Sequence, residues 1–309
     1  MVTLDFSPAK DIPDLSRKVI FITGGTSGLG AASVLELAKH NPTRIYFSGR
    51  NATNAQAIIN RVHEEGSPTQ VSFVNCDLGS LSSVKEAAEN FIANESRLDI
   101  LMCNAGIMAT PPGLTSDGYE LQFGTNHLGH ALLIKKLLPL LLHTAEMPSG
   151  DARIIVLSSL GYFLHPKSGI VFNSLKTIQD FGFFGGWRRY GQSKLANILY
   201  ARELASRYPS LTSVSIHPGV VATGLIDNLS FADRLLVQVT NIGKILEPSQ
   251  GILNQLWAAS ADKKQLVNGQ FYEPVGLLST SLDKAAKDNE LAANLWEWTE
   301  KELQKYEEK

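Results

Sequence analysis

Short apolar runs and amphipathic stretches alternate along the first two-thirds of the chain. "KVIFITG" is a β-rich run that ends in glycines, and "LGAASVLELAKH" after it has helical spacing. "RIYFSG", "VSFVNC", "LDILMCNAG", "ARIIVLSS" and "TSVSIHPG" read as five further strands. Between them, "NAQAIINRVHEE", "LSSVKEAAENFI", a long pattern from about Gly118 to His143, and "YGQSKLANILYARELASRY" read as helices. The strand runs are continuously apolar rather than alternating, as expected for strands covered on both faces. The pattern therefore predicts α/β architecture: a doubly wound parallel sheet with helices on both faces. No proline-rich linker, charge block or repeat divides the chain, so residues 1–309 read as one domain.

Two regions break the alternation. The thirty residues "LGYFLHPKSGIVFNSLKTIQDFGFFGGWRR" between Ser159 and Tyr190 hold seven aromatics and no clear period. After "HPGVVATGL", the segment "IDNLSFADRLLVQVTNIGKIL" reads as one or two amphipathic helices. Long aromatic loops in a compact domain usually serve a function. The closing "ELAANLWEWTEKELQKYEEK" reads as a solvated helix without chemistry.

Composition narrows the class. At 44% hydrophobic and 19% charged residues the chain can bury a sizeable core. A net charge of -2 gives no basis for nucleic-acid binding or capture by an anionic membrane. Cys76 and Cys103 are the two cysteines, which argues against a disulfide framework and suits a reducing compartment, here the cytoplasm. The first residues lack a secretory core, and "ALLIKKLLPLLL" is too short and too charged to be an integral membrane segment. His127, His130 and His217 lack metal-ligand spacing, so no metal is expected.

Chemistry enters at strand ends. "TGGTSGLG" follows the first strand and opens a helix, with Gly24, Gly28 and Gly30 in Gly-x-x-x-Gly-x-Gly spacing around Ser27. Such a turn lets backbone N–H groups approach a pyrophosphate, and the helix N-terminus adds positive potential. Twenty residues past Gly30 lies Arg50, and no carboxylate occurs from Leu37 to His63. A guanidinium there pairs with a 2′-phosphate, so NADP(H) is the expected cofactor. Asp77, followed by Leu78, ends the third strand where a carboxylate can accept the adenine amino group. Asn104, Ala105 and Gly106 close the fourth strand as a small wall for the ribose.

"YGQSK" places the Tyr190 phenol and the Lys194 ammonium one helical turn apart. A nearby ammonium favours phenolate, so Lys194 is expected to acidify Tyr190 for proton exchange with a carbonyl oxygen. Lys194 also suits the nicotinamide ribose hydroxyls. Ser158 and Ser159 are rival donors to the substrate oxygen, and strand alternation aims one of them at the cofactor. Asn126 lies mid-helix, where its amide either bonds backbone in the core or holds a water linking Lys194 to solvent.

"TGGTSGLG", "CNAG", Asn126, Ser159, "YGQSK" and "HPGVVAT", in this order, resemble the short-chain dehydrogenase/reductase family. The likeness runs from about Lys18 to Thr223 and continues weakly through "EPSQG" and "NGQFYEPVG". It implies a Rossmann fold with a nucleotide-binding half at about 18–150 and a catalytic and substrate-binding half at about 151–309. It implies a tetrad of Asn126, Ser159, Tyr190 and Lys194, and so selects the second serine. It further implies Leu29 near the nicotinamide, and Val221 and Thr223 holding its carboxamide or phosphate. The leader "DIPDLSRKVIFITGG" and "SGRN" are similar to retinol-dehydrogenase-type and WW-domain-oxidoreductase-like members and to fungal reductases. The Ser159–Tyr190 gap exceeds the family's common dozen residues, which bears on substrate shape and subunit packing. The expected activity is NADP(H)-dependent interconversion of a carbonyl and an alcohol on a lipophilic small molecule, secondary-metabolite, retinoid- or steroid-like. A homodimer is the default assembly. Epimerase or dehydratase chemistry on the same fold, and a non-catalytic NADP-sensing scaffold, are the alternatives.

Overall fold

The six apolar runs form parallel strands: β1 Val19–Thr23, β2 Arg44–Gly49, β3 Gln70–Asn75, β4 Ile100–Cys103, β5 Arg153–Leu157 and β6 Thr212–Ile216. The computed structural model describes residues 4–222, 229–240 and 245–306. β7 Val220–Val221 pairs with β8 Ile245–Leu246 as a separate two-stranded ribbon. β9 Phe271–Glu273 and β10 Leu277–Leu278 extend the main sheet, whose order is β10-β9-β6-β5-β4-β1-β2-β3. The direction of winding reverses between β1 and β4, the place where open α/β sheets bind ligands.

Strand alternation explains the two cores. Phe21, Tyr46, Val74, Leu101 and Val156 face one side, and Ile22, Phe47, Met102, Ile155 and Leu157 face the other. Helices α1 Gly28–Ala38 and α2 Ala52–Glu64 line the second side. The first side is covered by α3 Leu81–Asn94, α4 Leu121–Glu146 and α5 Gly185–Arg207. β3 departs from the expected buried run, because as an edge strand it is largely half-exposed. α4 is long and apolar enough to cross a membrane, yet over half of its most apolar stretch is buried inside the protein.

α4 starts at Leu121 rather than near Gly118, and it contains a π turn at Gly124–Leu128. α5 starts at Gly185, five residues before Tyr190. Past the ribbon come α6 Phe231–Thr240, α7 Leu253–Ser260 and α8 Asn289–Leu303. α8 corrects the expectation of a merely solvated closing helix. Leu295, Thr299 and Leu303 are fully buried, Trp296 stacks on Tyr200 of α5, and Thr299 bonds His127 of α4. The polar positions of the segment had concealed one apolar stripe at helical spacing.

The aromatic insertion is folded, not loose. Arg189 and Glu120, both buried, form an ion pair at 3.3 Å. The guanidinium donates to the carbonyls of Gln179 and Thr110, so one side chain anchors the insertion and the loop after β4. The Glu120 carboxylate accepts from the N–H groups of Gln122 and Phe123 at the start of α4. Burial pushes the Glu120 pKa up, and these two donors and the ion pair oppose that rise. Gln192 receives the Val171 N–H and donates to Gln179, pinning the insertion to α5 a second time.

Arg189→Ala strands a buried carboxylate and two carbonyls, with an expected loss of about 3–5 kcal/mol in urea unfolding. Arg189→Met combined with Glu120→Gln should lose clearly less; equal losses would show that the charges themselves are not the issue.

Candidate active site

A cleft of about 700 Å³ runs along the carboxyl ends of β1 to β5. Gly24, Ser27, Gly28, Leu29 and Arg50 border one stretch, Asp77 and Leu78 another, and Asn104, Ala105, Gly106, Tyr190 and Lys194 the rest. Most residues singled out in the sequence therefore meet on one surface. Gly30, Val221 and Asn126 are buried, Ser159 is half-exposed just past β5, and Thr223 lies outside the described residues.

The glycine turn is built for close approach. Gly24 has φ of +70°, and a Cβ on Gly30 would collide with the Gly24 carbonyl and come within 2.6 Å of the Asn104 amide nitrogen. Gly30 thus permits close packing of helix on strand. Ser27, the residue before α1, makes no side-chain cap, which leaves the first-turn N–H groups of an eleven-residue helix available to an anion. These features, with the length of the cleft, fit a dinucleotide. Its pyrophosphate would lie at Gly24–Leu29, its adenosine end between Arg50 and Asp77, and its nicotinamide end toward Tyr190.

Several expected ligand groups prove to be engaged within the protein. One Asp77 carboxylate oxygen accepts the Gly79 N–H, while the residue still borders the cleft. The Asn104 amide donates to the Thr23 carbonyl and ties β4 to β1. Thr23, which sequence reasoning passed over, accepts the Ala105 N–H and bonds His130, whose other nitrogen meets the Asn126 carbonyl. A threonine between a buried strand and a glycine turn was the available signal. Burial pushes His130 and His217 down to about 4, so both are neutral near pH 7 and structural. Val221 sits in β7 near Leu29: a Cβ on Gly251 would touch both side chains.

At the far end of the cleft, α5 is clamped to the end of β5. Ser158 donates to the Lys194 carbonyl at 2.7 Å, and both Lys194 Nζ and Asn197 donate to the Leu157 carbonyl at 3.0 Å. Ser158 is consumed by this clamp. Ser159 instead accepts the Gly161 N–H at 3.0 Å and stands near the Tyr190 phenol, whose pKa it lowers. Lys194 Nζ lies 5.7 Å from the centre of the Tyr190 ring.

The electrostatics correct one expectation. Burial raises Tyr190 to about 12, partly offset by the neighbouring Ser159. Burial lowers Lys194 to about 8. In the protein alone both groups lean toward their neutral forms, because desolvation outweighs any attraction between ammonium and phenolate. Asn126 makes the backbone bonds of its first alternative. Its oxygen accepts the Ile107 N–H, and its nitrogen reaches the Ile107 carbonyl and Ser193 Oγ. The side chain bonds backbone in the core, and its oxygen, with two lone pairs, can accept a second donor as well. The π turn that carries Asn126 is the irregularity that aims it at Ile107, as π-bulges often do near sites.

A doubly wound sheet with a glycine turn at its switch point and a buried tyrosine–lysine pair beyond it defines a dinucleotide-binding enzyme architecture. Residues 18–178 match the short chain dehydrogenase family. An uncharacterised oxidoreductase of Schizosaccharomyces pombe is 39% identical, covering 94% of this chain and 86% of its own length. Retinol dehydrogenase 11 of Homo sapiens is 32% identical over 92% of this chain and 85% of its own. Among solved structures, a Mycobacterium paratuberculosis protein superposes with TM-score 0.73 at 30% identity, covering 96% of each chain. The chain belongs to the short-chain dehydrogenase/reductase family and is an oxidoreductase of that class.

The buried ammonium has a measurable signature. Lys194 lies below its usual 10.5 in the folded protein, so between about 8 and 10.5 the unfolded chain binds the extra proton. Its burial penalty is full below pH 8 and fades as pH rises through that window. The stability difference between Lys194→Met and wild type should therefore favour the variant by about 2 kcal/mol more at pH 7 than at pH 9.5. Chemical unfolding at both pH values reads this directly, and a difference independent of pH would refute the buried-ammonium picture.

Proposed function

We propose that the protein is an NADP(H)-dependent oxidoreductase that interconverts a carbonyl and an alcohol on a lipophilic small molecule. The carrying observation is the buried end of the cleft, where the Tyr190 phenol, close to Ser159, stands beside a buried lysine. The bound nicotinamide supplies or accepts the hydride. Tyr190 gives or takes the proton at the substrate oxygen, with Ser159 as the second hydrogen-bond partner of that oxygen. Lys194, brought down to about 8, gives up its proton far closer to neutrality than a free lysine and suits passing that proton onward. Asn126 positions the wall of the site through Ile107.

Arg50 supports NADP(H) over NAD(H). It is exposed at the end of β2, borders the cleft, and no acid stands between Leu37 and His63 to receive a ribose 2′-hydroxyl. The apolar substrate class is supported by the side chains around Tyr190: Trp187, Leu229 and Val237, with Met108, Ala109 and Val220 against them. The human relative is a retinol dehydrogenase, which agrees with a lipophilic alcohol or aldehyde.

Arg50→Ala should weaken NADPH binding by about tenfold to a hundredfold, the worth of a charge-assisted hydrogen bond, and leave NADH binding nearly unchanged. Fluorescence titration with both nucleotides tests this, and equal losses for the two would remove the 2′-phosphate assignment.

With NADPH and a panel of lipophilic ketones and aldehydes, Ser159→Ala should lower kcat by about a hundredfold or more at unchanged nucleotide affinity. Ser158→Ala should chiefly lower stability. The reverse pattern would exchange the two serines, and a wild type that reduces none of the panel would sink the proposed activity.

A further inference from the structure

One turn before Tyr190 on the same face of α5 stands Trp187, its ring edge-on to the phenol with centres 6.2 Å apart. Both belong to a small apolar cluster, separate from the two cores, that also holds Leu229 and Val237. Val237 lies on α6 and Leu229 just before it, so the cluster is the place where α6 meets the candidate active site. An indole N–H in such surroundings needs an acceptor. Trp187 Nε1 donates to Asp233 Oδ1 of α6 at 2.7 Å. The other Asp233 oxygen accepts from Ser230 Oγ at 2.5 Å, and the Asp233 N–H returns to that hydroxyl. A carboxylate held from both sides fixes the first turn of α6 against the tryptophan, while Phe231, Leu235 and Val239 point to solvent. Apolar contact alone would let α6 slide along the indole; the hydrogen bond is directional and sets one spacing.

We infer that the Trp187–Asp233 hydrogen bond is a latch that fixes α6 as the wall of the substrate pocket over Tyr190. Trp187 and Asp233 are then positioning residues that determine how bulky an uncharged carbonyl compound the site seats productively. This substrate role rests on the activity proposed above; the latch itself does not.

Two readouts separate those parts. The first is hydrogen–deuterium exchange of peptides covering residues 229–240 in the full-length protein, which needs no activity. Trp187→Phe keeps an aromatic ring and removes the donor; Asp233→Ala removes the acceptor. Each should speed exchange there by about fivefold, the equivalent of one hydrogen bond, and the double variant should go no further. Asp233→Asn, which retains an acceptor, should restore the slow rate. Ser230→Ala tests whether loss of the helix cap alone suffices. The second readout is steady-state kinetics with NADPH, comparing 1-phenylpropane-1,2-dione with propanal. The latch variants should raise KM for the dione about tenfold with a smaller change in kcat, leave propanal little affected, and retain NADPH affinity. Wild-type exchange in Trp187→Phe, or effects of Trp187→Phe and Asp233→Ala that simply add, would overturn the latch. Fast exchange with unaltered dione kinetics would overturn the specificity role. If wild type reduces neither carbonyl, the proposed activity fails, and exchange still decides the latch.

Discussion

The candidate site depends on the seating of one helix against one strand end. Three hydrogen bonds join α5 to the last residues of β5: Ser158 to the Lys194 carbonyl, and Lys194 and Asn197 to the Leu157 carbonyl. They set both the height and the rotation of α5, and with them the direction of the Tyr190 phenol. Because the α5 residues from Arg189 to Ala201 are all buried, no solvent-facing side remains to absorb an error in rotation. The same burial brings the lysine nearer to losing its proton and holds the tyrosine protonated in the protein alone. The site therefore holds one group, Lys194, whose charge changes closer to neutrality than water would allow.

Around this clamp, the departures from regular architecture are the parts that give the cleft its shape. The insertion before α5 is held by Arg189, Gln179 and Gln192. The loop after β4 is held by the same arginine and by Asn126 through Ile107. Both irregular segments are thus referenced to α4 and α5 by buried polar groups rather than by their own secondary structure. Such networks specify one arrangement, since any half-made version leaves a charge or amide unpaired in the interior.

The sheet, its winding and the glycine turn were legible in the sequence because each rests on local pattern: continuous apolar runs, helical spacing, and a turn without side chains. Arg50, Asp77 and the Tyr190–Lys194 pair were legible because their places follow from strand ends. What escaped depends on partners distant in the chain. Nothing near Asn126 tells that Ile107 will claim its amide, and nothing near Lys194 tells that its surroundings will be dry enough to overrule its attraction for a phenolate. Ser158 and Ser159 could not be separated by residue type, because the difference lies in which one meets the Lys194 carbonyl. Trp187 went unremarked among seven aromatics, and its meaning came only with Asp233, forty-six positions later. α8 was misjudged because its partners, Tyr119, His127 and Tyr200, lie about a hundred residues or more upstream.

That last packing has a consequence for how the chain acquires its structure. His127 meets Thr299 across 172 positions, and the Tyr119 hydroxyl meets Glu302 across 183. Contacts of such long separation carry a large closure entropy and form late. During synthesis the segments flanking the nucleotide cleft emerge well before the helix that covers them. The newborn chain must then hold part of its apolar surface uncovered until nearly the final turn of α8 has left the ribosome, an interval in which chaperones have their opening.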